Sequence, residues 1–316
     1  MTIRSSNGFI PHDYHMHSTL SCDCQASMAE MCQSALGRGI PEIAFTEHFD
    51  PKPEDICAGF YDPAGYFDAL EAARRVFGPQ GLTIRAGVEV GELHRYRAIV
   101  QPVLEAWPYD LVLGSLHWSG ENSIFDEDYF RRTPPEDAIP AYFAEMAEMV
   151  RGGGFDVLAH ADVFKRTAYR VYGRLPIADW EDLMRPVWAA CIDTGTAIEI
   201  NTAGLRVEVG ETHPALEALR WYRAMGGERL TIGGERLTIG SDSHRPAHVG
   251  YGLPGALDLA RALSAPRPPM RTLCIGTQIH MRAGDAEAAV AMLDKAAARK
   301  PDGAQLRMLL EAACEL

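Results

Sequence analysis

Residues 9–17 read Phe9-Ile10-Pro11-His12-Asp13-Tyr14-His15-Met16-His17, a short run that ends in two histidines two positions apart. On an extended strand, residues i and i+2 share a face, so both imidazoles would leave the end of one strand together. Asp242 and His244 repeat that spacing. Other short apolar runs lie at 42–47, 83–90, 110–116, 155–160, 196–201 and 236–241, and segments of helical period lie between them at 63–77, 95–106, 135–151, 179–194 and 214–225. This alternation predicts an α/β fold with mainly parallel strands, and seven repeats favour a barrel over an open sheet. The runs end in Thr46-Glu47-His48, Gly87-Val88-Glu89, Ser115-Leu116-His117, Ala159-His160-Ala161-Asp162 and Ser241-Asp242-Ser243-His244. In a parallel barrel the C-terminal strand ends meet at one mouth, so these residues become neighbours although they are far apart in sequence. Imidazoles and carboxylates gathered in this way suit Zn, Mn or Fe.

Composition limits what such a mouth can serve. The chain has 316 residues, 47 % of them hydrophobic and 23 % charged, an ordinary globular balance. A single barrel domain over 1–316, closed by helices in the Ala-rich stretch 286–314, accounts for the length. The formal charge is −13 and no Lys/Arg cluster is present, which argues against nucleic acid as a partner. A small phosphorylated substrate needs only a local positive field and stays open. No apolar run is long enough to cross a membrane, no basic-then-apolar leader is visible, and the seven scattered cysteines read as reduced thiols in a cytoplasmic protein. Oligomeric state is not legible. Ser27-Met28-Ala29-Glu30 forms a capping box for a helix that stops near Gly39, and Pro135 and Pro214 fall where a first-turn proline is tolerated. The Pro/Gly-rich stretch 245–270 reads as a loop. The heptapeptide Gly226–Ile232 is repeated at Gly233–Ile239, and the second copy, joined to Gly240-Ser241-Asp242, is the one expected to form the strand.

The segments DYHMHSTLSCD (13–23), TEH (46–48), GVE (87–89), GSLH (114–117), LAHAD (158–162) and SDSH (241–244), in this order, resemble the polymerase-and-histidinol-phosphatase (PHP) superfamily over about 12–250. The resemblance implies a distorted seven-stranded (β/α) TIM-like barrel with three divalent metal ions. It assigns His15, His17, Glu89 and Asp242 to the first metal. Glu89 bridges to a second, completed by His117 and His160, and the third takes Asp23, His48 and His244. Cys22 and Cys24 flank Asp23; a soft-ligand role is open to them, but small, partly buried residues are the better expectation. Clustered divalent ions suit phosphate ester hydrolysis, because they acidify a bridging water and neutralise phosphoryl oxygens.

Two further segments narrow the substrate. Asp162-Val163-Phe164-Lys165-Arg166, after His160, and Glu199-Ile200-Asn201-Thr202-Ala203-Gly204-Leu205-Arg206 resemble the histidinol-phosphatase branch. That likeness implies a phosphomonoesterase acting on L-histidinol phosphate, with Arg166 and Arg206 clamping the phosphate through their planar forks. Glu89, His244 and Asp162 are then the candidate catalytic residues, with Asp162 protonating the leaving alkoxide or orienting a ligand. Two alternatives stand beside it: a PHP phosphoesterase for a nucleotide or nucleoside bisphosphate, and a non-catalytic regulatory module. Glu199 and Asn201 share a strand face and are expected to orient groups at the mouth. His94 is placed at the mouth, His12, His213, His248 and His280 at the surface, and Trp118 either on an imidazole or in the core. If the ions bind, an acidic chain carries a cationic pocket.

Overall fold

The computed structural model describes residues 12–226 and 238–264, all within the compact unit Met1–Ser264. The Ala-rich tail, His280 and residues 227–237 of the tandem heptapeptide lie outside the described residues. The strands are β1 (Glu42–Phe49), β2 (Thr83–Gly91), β3 (Leu111–Ser115), β4 (Trp118–Ser119), β5 (Asn122–Ser123), β6 (Val157–Leu158), β7 (Ala197–Asn201) and β8 (Thr238–Gly240). The helices are α1 (Met28–Arg38), α2 (Pro63–Phe77), α3 (Leu93–Ala106), α4 (Glu127–Arg132), α5 (Pro135–Gly152), α6 (Lys165–Tyr172), α7 (Glu181–Thr194), α8 (Leu216–Ala224) and α9 (Leu253–Ser264).

Strands β1, β2, β3, β6, β7 and β8 pair side by side, all parallel, while β4 and β5 form a separate antiparallel hairpin. The first apolar run is not a strand where it is described: it makes isolated bridges, Asp13 to Ile43 and Met16 to Ser243. Those bridges matter for the site, because residues 13–17 bond to both edges of the curled sheet. Asp13 N donates to Glu42 O (3.2 Å) on one side, and Tyr14 N donates to Ile239 O (3.1 Å) on the other. Asp242 N donates to His15 O at 2.7 Å. His15 and His17 are thereby fixed beside the ends of β1 and β8.

Local chemistry explains the element boundaries. Ser27 Oγ accepts from Glu30 N while the Glu30 carboxylate takes Ser27 N, so the capping box opens α1, and Gly39 closes it at φ 72°. Asp62 caps α2 ahead of Pro63, and Pro135 starts α5. Pro214 departs from expectation: it precedes α8, after a cis peptide with His213. The stretch 245–270 is not all loop, because α9 forms in it. Leu253, Ala256, Leu257 and Ala260 fall at i, i+3, i+4 and i+7 and are all buried, a helical stripe that outweighs Pro254 in the tolerant first turn. The α5, α7 and α8 faces pack Tyr142, Phe143, Trp188 and Tyr222 into the main core.

The thiol expectation is corrected. Cys22 and Cys57 are joined by a disulfide with Cα atoms 5.3 Å apart, which ties the loop before Asp23 to the loop after β1, whereas Cys24, Cys32 and Cys191 are free and buried. Odd cysteine counts and wide spacing hid a pair brought together by the fold. Among the described residues, no helix is long and apolar enough to cross a membrane.

Candidate metal centre

Glu89, near the end of β2, is the hub. Its Oε1 lies 2.7 Å from His160 Nε2 and 3.3 Å from His117 Nε2, and accepts from Ser115 Oγ at 2.5 Å. Its Oε2 lies 3.1 Å from His15 Nε2, 3.5 Å from His17 Nε2 and 3.3 Å from His48 Nδ1. Five imidazoles from four separate segments therefore face one buried carboxylate. Asp242 closes the His15–His17 side, with Oδ1 3.5 Å from His17 Nε2. Asp23 Oδ2 lies 3.0 Å from His244 Nε2 and 3.6 Å from His48 Nε2. All nine residues expected as ligands thus meet around the floor and mouth of one cleft of about 1030 Å³.

The backbone is shaped for this crowding. A Cβ on Gly240 would sit 2.2 Å from Glu199 Oε1 and 2.3 Å from His15 Cβ, so only glycine lets β8 approach His15. His160 (φ 24°) and Asp242 (φ 50°) are non-glycine residues with positive φ. Each such residue costs about 1–3 kcal/mol and persists where surroundings over-determine it, typically at functional sites.

Charge is what the cluster must balance. Burial would raise the Glu89 carboxyl, but His15 and His48 outweigh it and hold its pKa well below the ordinary range. Burial lowers His15, yet Glu199, Glu89 and Asp242 prevail and raise it well above the histidine range. His17 is the exception. Burial, with His244 and His48 adding to it, pushes its pKa down to about 3, so it is neutral. Its Nδ1 is engaged with Ser21 Oγ at 3.1 Å and its buried Nε2 has no hydrogen-bond partner. A neutral imidazole with an unused buried nitrogen between two carboxylates is the donor a metal ion requires. Several overlapping groups have ligand atoms within 4.8 Å of one another, among them His15–His17–Glu89, Glu89–His117–His160 and His17–His48–His244. The residues fit divalent metals.

The sequence profile of the PHP domain matches residues 13–203, more than half of the chain. The chain belongs to the PHP family. It is 26 % identical over 250 residues to a probable histidinol-phosphatase of Clostridium acetobutylicum, covering 78 % of this chain and 92 % of that one. It is 28 % identical over 257 residues to the corresponding protein of Deinococcus radiodurans, covering 76 % and 88 %. Its fold matches a crystal structure of histidinol phosphate phosphatase from Lactococcus lactis, complexed with zinc, L-histidinol and phosphate. The TM-score is 0.67 at 23 % identity, over 80 % of this chain and 92 % of that one.

This PHP site has a second layer that sequence patterns only partly disclosed. Glu199 Oε1 holds His15 Nδ1 at 2.7 Å and its Oε2 accepts from His160 N at 2.9 Å, so it orients two of the ring systems. Asn201 donates to Glu199 at 3.2 Å. Asp50 carries no motif in the sequence, yet its Oδ1 lies 3.0 Å from His117 Nδ1 and its Oδ2 3.3 Å from His48 Nδ1. Its signal was a carboxylate two residues beyond His48. The guanidinium of Arg206 donates to Ser241 O (2.5 Å) and Asp242 O (2.9 Å), and that of Arg166 stands 4.0 Å from Asp242 Oδ2; both line the cleft, joined by Arg245 and His248.

Asp162 stands back from the cleft lining. It is fully buried, with Lys165 Nζ 2.7 Å from Oδ2, His213 Nδ1 2.9 Å from Oδ1 and Ala215 N donating to Oδ2. Burial alone would raise its carboxyl, but Lys165 and His213 outweigh that and hold the pKa below the ordinary range. Its side chain is not among those that line the cleft. Its contacts instead brace the segment between β7 and α8 against α6. His213, expected at the surface, is fully buried in that brace. His94 lies buried 3.4 Å from Glu145 rather than at the mouth, and Trp118 Nε1 donates to Asp55 at 2.7 Å under the Lys52 ammonium.

Glu92 supplies a pH test. Its Oε1 accepts from His117 N (2.6 Å) and Trp118 N (2.9 Å), while burial, against the pull of His117, raises its pKa from 4.5 to about 8. A carboxyl raised in the folded state stabilises the fold fully only below its unfolded pKa; the advantage is lost as pH climbs towards 8. Glu92→Gln, which cannot ionise, should match wild type near pH 4.5 and gain a few kcal/mol on it by pH 8.5 in metal-stripped protein. Thermal melts across that range check it; a constant difference would refute it.

Proposed function

We propose that this chain is a metal-dependent phosphomonoesterase that hydrolyses L-histidinol phosphate to L-histidinol and phosphate. The observation that carries it is the Glu89 hub with five imidazoles and two cleft-lining guanidiniums beside it. The named activity of the relatives, and the zinc, L-histidinol and phosphate of the Lactococcus lactis structure, support the substrate. Three divalent ions (Zn, Mn or Fe) are assigned as the sequence implied. His15, His17, Glu89 and Asp242 would hold the first, Glu89, His117 and His160 the second, and Asp23, His48 and His244 the third. Bound there, divalent ions supply Lewis acidity and a water acidified towards neutrality.

The chain's own residues do the rest. Arg166 and Arg206 bind the phosphoryl oxygens and set them against Glu89 and Asp242. Glu199 and Asp50 hold His15, His117 and His48 in the tautomer and orientation a ligand needs. Asp162, Lys165 and His213 position the segments that carry the two arginines. The same reading takes residues 13–17 as the seventh strand of a TIM-like barrel, supported by their hydrogen bonds to β1 and β8. Steady-state kinetics test the function. Turnover of L-histidinol phosphate should exceed that of p-nitrophenyl phosphate at least tenfold in kcat/KM, vanish on chelation and return with added zinc or manganese. Equal turnover of both esters, or activity that survives complete stripping, would overturn it.

A further inference from the structure

The cleft has two unlike ends. Arg166, Arg206, Arg245 and His248 line the Asp242 side. On the His117 side stand Phe125, its ring centroid 5.6 Å from that of His117, and Asp55, bonded to Trp118 Nε1; Ile56, next to Asp55 in sequence, also lines the cleft. Glu89 separates them, its Oε1 turned to His117 and His160, its Oε2 to His15 and His17. Ile56 is 87 % exposed and Phe125 47 % exposed, so two large apolar side chains stand in water at the mouth.

These side chains are not loose. Cys57, next to Ile56, is locked by the disulfide to Cys22. Asp55, on its other side, accepts from Cys57 N (2.8 Å) through Oδ1 and from Trp118 Nε1 (2.7 Å) through Oδ2. Lys52, buried, ties the same loop to the β4–β5 hairpin by reaching Glu121 at 2.6 Å. An isoleucine held outward between two pinned neighbours is a preorganised apolar surface, and each Asp55 oxygen keeps a lone pair for another donor.

We infer that Asp55, Ile56 and Phe125 form the leaving-group wall of the cleft, built for an alcohol that carries both a flat ring and a cation. The inference rests on the proposed phosphomonoesterase reading and adds to it the residues that choose the ester. With the phosphoryl group drawn to the arginine end, the alcohol extends past Glu89 to the opposite end. There the ring lies against Phe125 and Ile56, and the ammonium falls near the Asp55 carboxylate and the Phe125 π face.

Ile56 is the residue to change, because its side chain is exposed and makes no polar contact that folding needs. Ile56→Lys places a like charge beside the ammonium, and Ile56→Glu an opposite one. The ratio of kcat/KM for L-histidinol phosphate over p-nitrophenyl phosphate should fall about threefold to tenfold in I56K, through KM, and hold or rise in I56E. That is the size of one unit charge about 6–8 Å away in a largely aqueous mouth, and the effect should shrink at high salt. Phe125→Ala should lower the same ratio in a salt-independent way. A ratio that moves equally in I56K and I56E, or in none of the variants, would overturn the inference. Should wild type fail to prefer L-histidinol phosphate, the substrate reading falls, and titration with L-histidinol alone then decides the wall. I56K must weaken that binding relative to I56E, and equal affinities would overturn it.

Discussion

Glu89→Gln is expected to lower kcat by about 10³-fold, to deplete bound metal and to leave the fold intact. The effect is electrostatic. Both Glu89 oxygens are committed, Oε1 towards His117, His160 and Ser115 and Oε2 towards His15, His17 and His48. Glutamine keeps the shape but removes the charge that offsets the cationic groups around it, and it turns one oxygen into an N–H donor aimed at imidazole nitrogens. Losing a preorganised charge where reaction charge develops typically costs 10²–10³ in rate, and here the same group is also assigned to two ions. The measurement is kcat together with metal content by elemental analysis and a thermal melt. Activity within tenfold of wild type with full metal content would refute the hub role. A variant that fails to melt cooperatively calls for Glu89→Asp, which keeps the charge but shortens the reach, and should retain metal better than the glutamine variant while remaining slow.

The hub was legible from sequence because a strand has a period of two and its end is a fixed place. Glu89 and His117 sit at or just past the ends of β2 and β3, while His15, His17, Asp242 and His244 reach the same place from bridged segments beside β1 and β8. The expected convergence therefore holds although those two segments are not strands. What surrounds the ligands was less legible, because it depends on contacts across loops. Asp50 looks like an ordinary acidic residue before a proline until the fold puts it between His48 and His117. His213 has no motif of its own; its burial follows from the pairing of its backbone with Asn201 and from the Asp162 carboxylate beneath it. Asp162, a conspicuous acid beside a ligand histidine, invites a proton-transfer role on sequence alone, and its buried partners become visible only in the fold. Lys165, three residues later, is the sign that its charge is balanced within the chain. Cys22 and Cys57 are 35 residues apart, a separation that gives no hint of pairing. Helix α9 was hidden by Gly250, Gly252, Pro254 and Gly255, whose breaking signals are concentrated at its start, whereas the apolar stripe that decides it runs further on.

Replacing Arg206 should separate phosphate binding from metal binding. Two of its five N–H donors are used on Ser241 O and Asp242 O, and its guanidinium lies 5.7 Å over the Tyr251 ring, which leaves donors free for a ligand in the cleft. Because the plane is held before substrate arrives, little freedom remains to be lost on binding. Arg206→Ala is therefore expected to reduce kcat/KM by about 10²-fold, an amount set by loss of one charge-assisted, two-pronged contact. Arg206→Lys should recover no more than about a tenth of that loss, since one ammonium cannot both anchor to two carbonyls and grip phosphate. Arg166, 4.0 Å from Asp242 and with a side chain 37 % exposed, lacks this anchoring, so Arg166→Ala should cost less, about tenfold. Inhibition by inorganic phosphate should weaken in step with kcat/KM across the three variants while metal content stays at the wild-type level. If Arg206→Lys equals wild type, a point charge suffices and the clamp does not exist; if metal content falls with activity, Arg206 serves to shape the Asp242 turn and not to hold the phosphate.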